Sequence, residues 1–179
     1  MTTRILLTVY LMFFTPLLMA DEPSMGPIIE DYGPTYPIDF RDVPLEEDVV
    51  YKIIFDLSSY PGEVTSLNGN LVSVARYLNM HARNGIALEN MDIAVVVHGG
   101  ALKNSLSHEA YEDRYQAQNP NLDLFRKLDG AGVKFYVCGQ SMRFQGIEKS
   151  ELASPAKVGL SAMTMLTVLQ NKGYALLPW

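Results

Sequence analysis

Short runs of apolar residues alternate along the chain with segments in which apolar residues recur every three or four positions. Three of these runs, 49–57, 91–98 and 133–138, predict buried strands. Their continuous rather than alternating apolar character is typical of parallel strands that are covered on both faces. Two further short strands are predicted at 157–160 and 174–177.

Helical patterns fill the segments between these strands. The clearest helix starts at Asn68 or Asn70, carries an apolar stripe, and ends at Asn84-Gly85. Other helices begin at Ser105 or Ser107, at 119–121 and at Ser161, and a short helical turn is predicted at 141–146. Strands that alternate with helices in this way predict one α/β domain. We expect a three-layer α/β/α sandwich with a mainly parallel sheet of about five strands.

The first twenty residues differ from the rest of the chain. Arg4 supplies a positive start, 5–19 is mostly apolar, and Ala20 precedes two acidic residues. This layout is typical of a secretory signal peptide, although Leu18 stands where a small residue is usual. An uncleaved membrane anchor is the alternative, but the apolar run is shorter than the ~20 residues of a spanning helix. We therefore predict that 1–20 is a signal peptide, that the protein is periplasmic, and that cleavage leaves no membrane attachment.

Residues 21–48 combine five prolines with several acidic side chains. Proline fixes φ and removes a backbone donor, so this segment predicts an extended arm rather than a helix or a central strand. Apolar side chains such as Ile28, Ile29 and Phe40 are unusual for a free linker. We expect the arm to lie on the domain formed by 49–179 or on a neighbouring subunit.

The net charge limits the classes of partner. Without the signal peptide the chain has 13 basic and 20 acidic residues, a net charge of −7. Nucleic acids and anionic membranes bind chiefly to Lys and Arg, so neither is an expected partner. No phosphate-binding loop, HExxH, CxxC or GxSxG pattern is present, and we predict no metal and no cofactor. His108 and Glu112 have helical spacing for a metal, but their acidic neighbours favour a solvated surface.

Two of the predicted strands end in chemically useful residues. One ends in His98, followed by Gly99-Gly100; the other ends in Cys138, the only cysteine, followed by Gly139-Gln140-Ser141. Because the carboxyl ends of parallel strands meet at one edge of the sheet, ligands bind there. A single cysteine cannot run an intramolecular dithiol cycle, so redox chemistry would require a persulfide, a mixed disulfide or an outside thiol.

The residues after Cys138 predict how its thiol could be activated. A helical turn beginning there would place the thiol at a helix amino terminus, whose partial positive charge stabilises a thiolate. The N–H groups of Gly139 and Gln140 could hold an anion or a terminal sulfur, and Arg143 adds a cation. A protonated His98 would lower the pKa of the thiol further. Alternatively, the thiol is an inert core group and His98 is a strand-end histidine bonded to backbone.

Several of these segments together resemble the DsrE/DsrF-like sulfur-relay family. The resemblance rests on 91–99, 119–122, 128–133, Val137-Cys-Gly-Gln-Ser141, 160–164 and 173–176. It is nearest to an exported, single-domain branch of that family. The resemblance implies a flavodoxin-like fold, homotrimers or homohexamers, and a sulfur-carrying cysteine at Cys138. The signal peptide and the arm depart from the cytoplasmic relatives, so the partner systems of those relatives are not expected here.

The leading hypothesis is a periplasmic sulfur carrier or sulfurtransferase-like protein in which Cys138 holds sulfane sulfur as a persulfide. Its partners would be copies of itself and a sulfur donor or acceptor protein. The predicted binding residues around the thiol are His98, Gly99, Gly139, Gln140, Ser141 and Arg143. One alternative is a non-enzymatic oligomer with a ligand or metal pocket at the carboxyl edge of the sheet. Another is a structural oligomer in which Cys138 belongs to the core.

Overall fold

A computed structural model describes residues 22–46, 48–153 and 156–177, and the predicted signal peptide lies outside these ranges. The strands are β1 Tyr51–Leu57, β2 Met91–Val97, β3 Lys134–Cys138, β4 Lys157–Gly159 and β5 Ala175–Leu177. The α-helices are α1 Gly69–Arg83, α2 His108–Tyr115, α3 Leu122–Gly130, α4 Gly139–Gln145 and α5 Ala162–Asn171. Short 3-10 helices cover Leu88–Asn90, Gly99–Ser105 and Lys149–Glu151, none of which the apolar pattern predicted.

The five strands form one parallel sheet in the order β4-β3-β2-β1-β5. β1 and β2 pair along their whole length and end with Leu57 opposite Val97. On the other side of β2, Val97 is opposite Val137 of β3, and Cys138 is opposite Gly159 of β4. The central strands therefore end together at one edge of the sheet. The predicted α/β class and the five-stranded parallel sheet are confirmed.

The two faces of the sheet are covered to different extents. On one face, α1, α2 and α3 pack over a large core that includes Phe55, Val95 and Phe135. The opposite face has a smaller cluster that includes Ile54 and Val96, and in the described part of the chain α5 is the helix that packs on it. The molecule thus has the three predicted layers, with one of them formed by a single helix.

Capping side chains determine where the helices begin. Asn68 caps α1, Ser107 caps α2 and Ser161 caps α5, each by accepting a hydrogen bond from a backbone N–H at 3.0 to 3.1 Å. These contacts select Asn68 and Ser107 among the predicted alternatives. α4 begins at Gly139, two residues earlier than predicted, because the Cys138 thiol itself occupies the capping position.

The described part of the proline-rich arm lies along α1. The side chain of Asn79 on α1 is fully buried beneath it. The amide oxygen accepts hydrogen bonds from the N–H groups of Ile28 and Ile29, at 3.1 and 2.8 Å. The amide nitrogen donates to the carbonyls of Ile29, Tyr32 and Gly33, at 3.0, 2.8 and 3.1 Å. One buried amide therefore satisfies several backbone groups of a segment that has no regular secondary structure.

Two basic side chains hold the arm at its other contacts. At the end of α1, the Arg83 guanidinium donates to the carbonyls of Met25 and Gly26, at 2.8 and 2.7 Å. On α3, Lys127 forms an ion pair with Asp31 of the arm. The arm is thus part of the layer that covers the larger core.

No helix among the described residues is long and apolar enough to cross a membrane.

Candidate active site at the carboxyl edge of the sheet

The Cys138 side chain lies at the end of β3, between the amino termini of α4 and α5, and is 5% exposed. Its sulfur accepts a hydrogen bond from the Ser141 N–H, with the nitrogen 3.4 Å from Sγ. The N–H groups of Gln140 and Ala162 also lower the pKa of this thiol. Ala162 is the first residue of α5, so N–H groups that open two different helices converge on one sulfur atom.

These contacts shift the pKa of the Cys138 thiol. Burial raises the pKa of Cys138, but hydrogen bonds from the Ser141 hydroxyl and from the N–H groups of Ser141, Ala162 and Gln140 together lower it by more. The pKa of the thiol therefore lies below the usual value for cysteine. Hydrogen bonds to sulfur favour the thiolate, which is the nucleophilic form. The sequence predicted one helix terminus at this thiol, and the structure has two.

Two glycines allow the chain to pack closely around the thiol. A β-carbon on Gly139 would lie 2.8 Å from the carbonyl oxygen of Gly159 and 3.4 Å from that of Leu160. A β-carbon on Gly159 would lie 2.6 Å from Cγ of Met165 on α5. The segment 159–161 therefore lies directly against the junction of β3 and α4.

His98 follows β2 on the same face of the sheet as Cys138. The last paired residues of these strands are Val97 and Val137, so the next position on each strand is His98 and Cys138. Successive side chains of a strand point to opposite faces. Since Val96 and Cys138 both belong to the cluster under α5, His98 projects to that face as well. The structure thus places the predicted histidine and cysteine in adjacent strand positions.

The imidazole of His98 has a carboxylate partner that sequence reasoning missed. Its Nε2 atom is 2.7 Å from Oδ1 of Asp56 on β1, and the two side chains are 27% and 31% exposed. The apolar pattern assigned Asp56 only to a strand. The sequence did contain a sign of this partner, because Asp56 is an acidic residue inside an otherwise apolar run. It comes two positions after Ile54 and therefore lies on the same face of the sheet, the face to which His98 projects.

Gly99 and Ser141 connect the loops that follow β2 and β3. The N–H of Gly99 donates to the Ser141 hydroxyl at 3.2 Å, and the Gln145 side-chain amide donates to the Gly99 carbonyl at 2.9 Å. Gly99 has a φ of +54°, and a β-carbon there would lie 2.8 Å from the carbonyl oxygen of Ser58. The predicted binding residues Gly99 and Ser141 are therefore brought together, and Ser141 links the thiol to the loop after His98.

Arg143 is less closely associated with the thiol. It lies in the last turn of α4 with an exposed side chain, and its guanidinium forms no hydrogen bond or ion pair with any other described residue. Its predicted effect on the thiol stays a prediction.

His81 stacks on Tyr77 at 3.9 Å between ring centroids and belongs to the packing of α1. Within the described ranges, no group of three or more His, Cys, Asp or Glu side chains is arranged to hold a metal ion.

Apolar side chains are exposed near the same edge. Phe144 on α4 is 90% exposed, Leu160 is 70% exposed, and Met163 on α5 is 76% exposed. Phe144 comes three residues after Ser141, Leu160 comes two residues before Ala162, and Met163 comes directly after Ala162. α5 itself contains no charged residue. Exposed apolar side chains therefore neighbour, along the chain, the residues that form the thiol site, on a protein whose overall charge is negative.

The fold and the site define a class of protein: a flavodoxin-like α/β domain with a single activated thiol at the carboxyl edge of its sheet. Residues 52–179 match the DsrE/DsrF-like family, and the chain belongs to this family. Membership indicates a role related to sulfur relay. The exported branch suggested by the sequence is a finer assignment than this match provides.

One solved structure with a similar fold is that of a protein of unknown function from Methanobacterium thermoautotrophicum. The two chains are 20% identical, with a TM-score of 0.52, and the similarity covers 71% of this chain and 97% of that one. At this level of identity the comparison supports the fold alone. No curated protein matches the sequence.

Proposed function

We propose that the protein is a sulfur carrier that holds one sulfane sulfur atom as a persulfide on Cys138. The observation that carries the proposal is the convergence of N–H groups from two helices on the only thiol of the chain. Such a site stabilises negative charge on sulfur, which both a nucleophilic thiolate and a persulfide anion require. Membership in a sulfur-relay family supports the same reading.

The residues around the thiol have separate roles in this proposal. The N–H groups of Gln140, Ser141 and Ala162 stabilise the thiolate before loading and the persulfide anion afterwards. Gly139 permits the close approach of the segment 159–161, which restricts the access of water to the loaded sulfur. Gly99 holds the Ser141 hydroxyl in place at 3.2 Å.

The surface around the site supports a protein as the sulfur donor or acceptor. Phe144, Leu160 and Met163 are large apolar side chains that are mostly exposed, and exposed apolar surface is typical of sites where another protein binds. Binding of a partner against these side chains could displace the segment 159–161 and open the thiol. Copies of this chain are the other proposed partner, as trimers or hexamers.

The proposed place of action is the periplasm. This part of the proposal rests on the charged start, the apolar run and the small residue of 1–20. In an oxidising compartment an exposed thiol is readily converted to a disulfide or to sulfur oxyacids. A carrier thiol that is 5% exposed is suited to that environment.

The test is to incubate the protein with a small persulfide donor and to record its intact mass. Wild type is expected to gain the mass of one sulfur atom, and a reducing thiol is expected to remove it again. Cys138→Ser, which keeps a side chain of similar shape and hydrogen-bonding capacity, should gain nothing. Circular dichroism of both proteins controls for folding. The proposal is wrong if wild type gains no sulfur, or if Cys138→Ser gains as much as wild type.

A further inference from the structure

We propose that Asp56 positions His98 so that the imidazole transfers a proton during sulfur exchange at Cys138. The inference rests on the proposed function and adds to it a named proton-transfer group and the residue that orients that group. Asp56 is a positioning residue here, since it acts through His98 and does not itself contact the reacting sulfur.

The contact between the two side chains determines which ring nitrogen carries the proton. A carboxylate only accepts hydrogen bonds, so Nε2 at 2.7 Å from the Asp56 oxygen must be the protonated nitrogen. In the neutral ring, Nδ1 is then the unprotonated nitrogen, with a lone pair that can accept a proton. No described residue hydrogen-bonds to Nδ1 of His98. The carboxylate therefore prepares the ring to act as a base through Nδ1.

The topology places this base on the strand next to that of the thiol. His98 and Cys138 follow the paired residues Val97 and Val137 on neighbouring parallel strands. Neighbouring strands lie about 4.8 Å apart, so side chains that project to one face from adjacent positions can meet directly or through one water molecule. Both side chains lie at the carboxyl edge, where the 27% exposure of the His98 side chain also allows a donor molecule to approach.

Few other charged groups face this pair. β1 contributes Asp56 and β3 contributes Tyr136 and Cys138, whereas α5, which packs on this face, contains no titratable side chain. Arg143 on α4 is exposed, and the ammonium of Lys103, which follows β2, lies 3.9 Å from the centre of the Tyr60 ring. Among the described residues, Asp56 is therefore the charged side chain that contacts the imidazole.

A purely structural role explains this pair less well. β1 and β2 are already joined by backbone pairing along all seven residues of each strand, so a side-chain link between them adds little. Partly burying a carboxylate also has a desolvation cost. The neighbouring positions on this face, Ile54, Ala94 and Val96, are apolar and fully buried. The Asp56–His98 pair lies where this apolar surface ends. A role in proton transfer explains a polar pair at this position better than a structural role does.

The proposed step is redox-neutral and balances in atoms. The donor is a persulfide, R–S–SH, and Nδ1 of His98 takes the proton from the Cys138 thiol. The thiolate attacks the terminal sulfur of the donor, so that a new S–S bond forms while the S–S bond of the donor breaks. The inner sulfur of the donor leaves as a thiolate and takes the proton from the imidazolium. The products are the persulfide of Cys138 and the thiol R–SH.

The test compares the rate of sulfur loading, followed by intact mass over a range of pH, in wild type, Asp56→Asn, Asp56→Glu and His98→Gln. We expect Asp56→Asn to load about tenfold more slowly near neutral pH, with a pH profile that resembles that of His98→Gln. Asp56→Glu should recover part of the rate. Asp92→Asn is the matched control, because it makes the same chemical change on the same face of the sheet at its opposite end, and it should load like wild type.

Alkylation of Cys138 by iodoacetamide in the same samples separates proton transfer from structural disturbance. Alkylation needs the thiol to lose its proton, but iodide leaves without taking one, so the alkylation rate of Asp56→Asn should fall less than its loading rate. If Asp56→Asn instead alkylates much faster, the pair serves mainly to close the site, and the inference is wrong. If wild type loads but Asp56→Asn loads at the same rate with the same pH profile, the inference fails while the carrier function stands. If wild type does not load at all, the carrier function fails first.

Discussion

Replacing Ser141 with alanine tests whether hydrogen bonds tune the Cys138 thiol. The hydroxyl of Ser141 donates to the sulfur and accepts the N–H of Gly99 at 3.2 Å. Ser141→Ala removes the hydroxyl but leaves the backbone N–H of residue 141, which donates to Sγ at 3.4 Å. The variant therefore removes one of several bonds to sulfur, and the pKa of Cys138 should rise towards the usual value.

The size of the effect follows from the loss of one hydrogen bond to a charged group, which is about 1.5 kcal/mol. That loss reduces the thiolate population about tenfold at any pH well below the pKa of the thiol. A more basic thiolate is also a better nucleophile, and a Brønsted coefficient of about 0.4–0.5 makes it roughly threefold more reactive. Exchange with a disulfide reagent should therefore be about threefold slower at low pH and about threefold faster at high pH.

The assay is the rate of exchange with dipyridyl disulfide as a function of pH. Because Cys138 is the only cysteine, the whole signal reports on one thiol. The rate profiles of wild type and Ser141→Ala should cross. Ser107→Ala is the matched control, since the Ser107 hydroxyl also accepts a hydrogen bond from a backbone N–H, that of Ala110, and does not contact the thiol. If the exchange rate of Ser141→Ala is higher than that of wild type at both low and high pH, or lower at both, the substitution has changed access to the buried sulfur rather than the pKa of the thiol. That result would refute the reasoning.

Three further predictions concern the arm, the close packing at the site and the acid stability of the fold. Asn79→Ala leaves buried arm groups without hydrogen-bond partners and should lower the free energy of unfolding by about 3–5 kcal/mol, measured by urea denaturation. Gly139→Ala adds a β-carbon that would lie 2.8 Å from a carbonyl oxygen. It should destabilise the fold by about 1–3 kcal/mol and speed the labelling of the Cys138 thiol in the folded protein. An unchanged labelling rate would contradict the proposal that 159–161 restricts access to the sulfur. Burial raises the pKa of Asp92, but the hydrogen bond from Lys134 and its other polar contacts lower it by more, so its pKa is depressed in the folded state. A depressed pKa adds stability above about pH 4 that is lost as the pH falls, so the difference in unfolding free energy between wild type and Asp92→Asn should shrink on acidification.

The sequence predicted most of the secondary structure because its signals are local. Apolar runs marked the strands, and Asn68, Ser107 and Ser161 marked the beginnings of helices. It also predicted that His98 and Cys138 share an edge, since that conclusion needs only parallel strands with similar ends.

What the sequence could not reveal depends on contacts between distant segments. Asp56 became a site residue only once β1 was known to lie beside β2. Ala162 reaches the thiol because β4 pairs with β3 and brings the start of α5 to the sulfur, and the strand order cannot be read from periodicity. Asn79 looked like any polar residue on a helix, because the arm that buries it is 50 residues away in the chain.

The arm also bears on the order in which the molecule assembles. Its contacts span 50 residues between Ile29 and Asn79 and 96 residues between Asp31 and Lys127, so both partners are synthesised long after the arm itself. Contacts between residues so far apart in sequence form only after the entropy of closing the intervening loop has been overcome. The segment that is made early is therefore among the last to dock. Until α1 and α3 are in place it remains an unattached chain, and its docking completes folding on the side of the sheet away from the thiol.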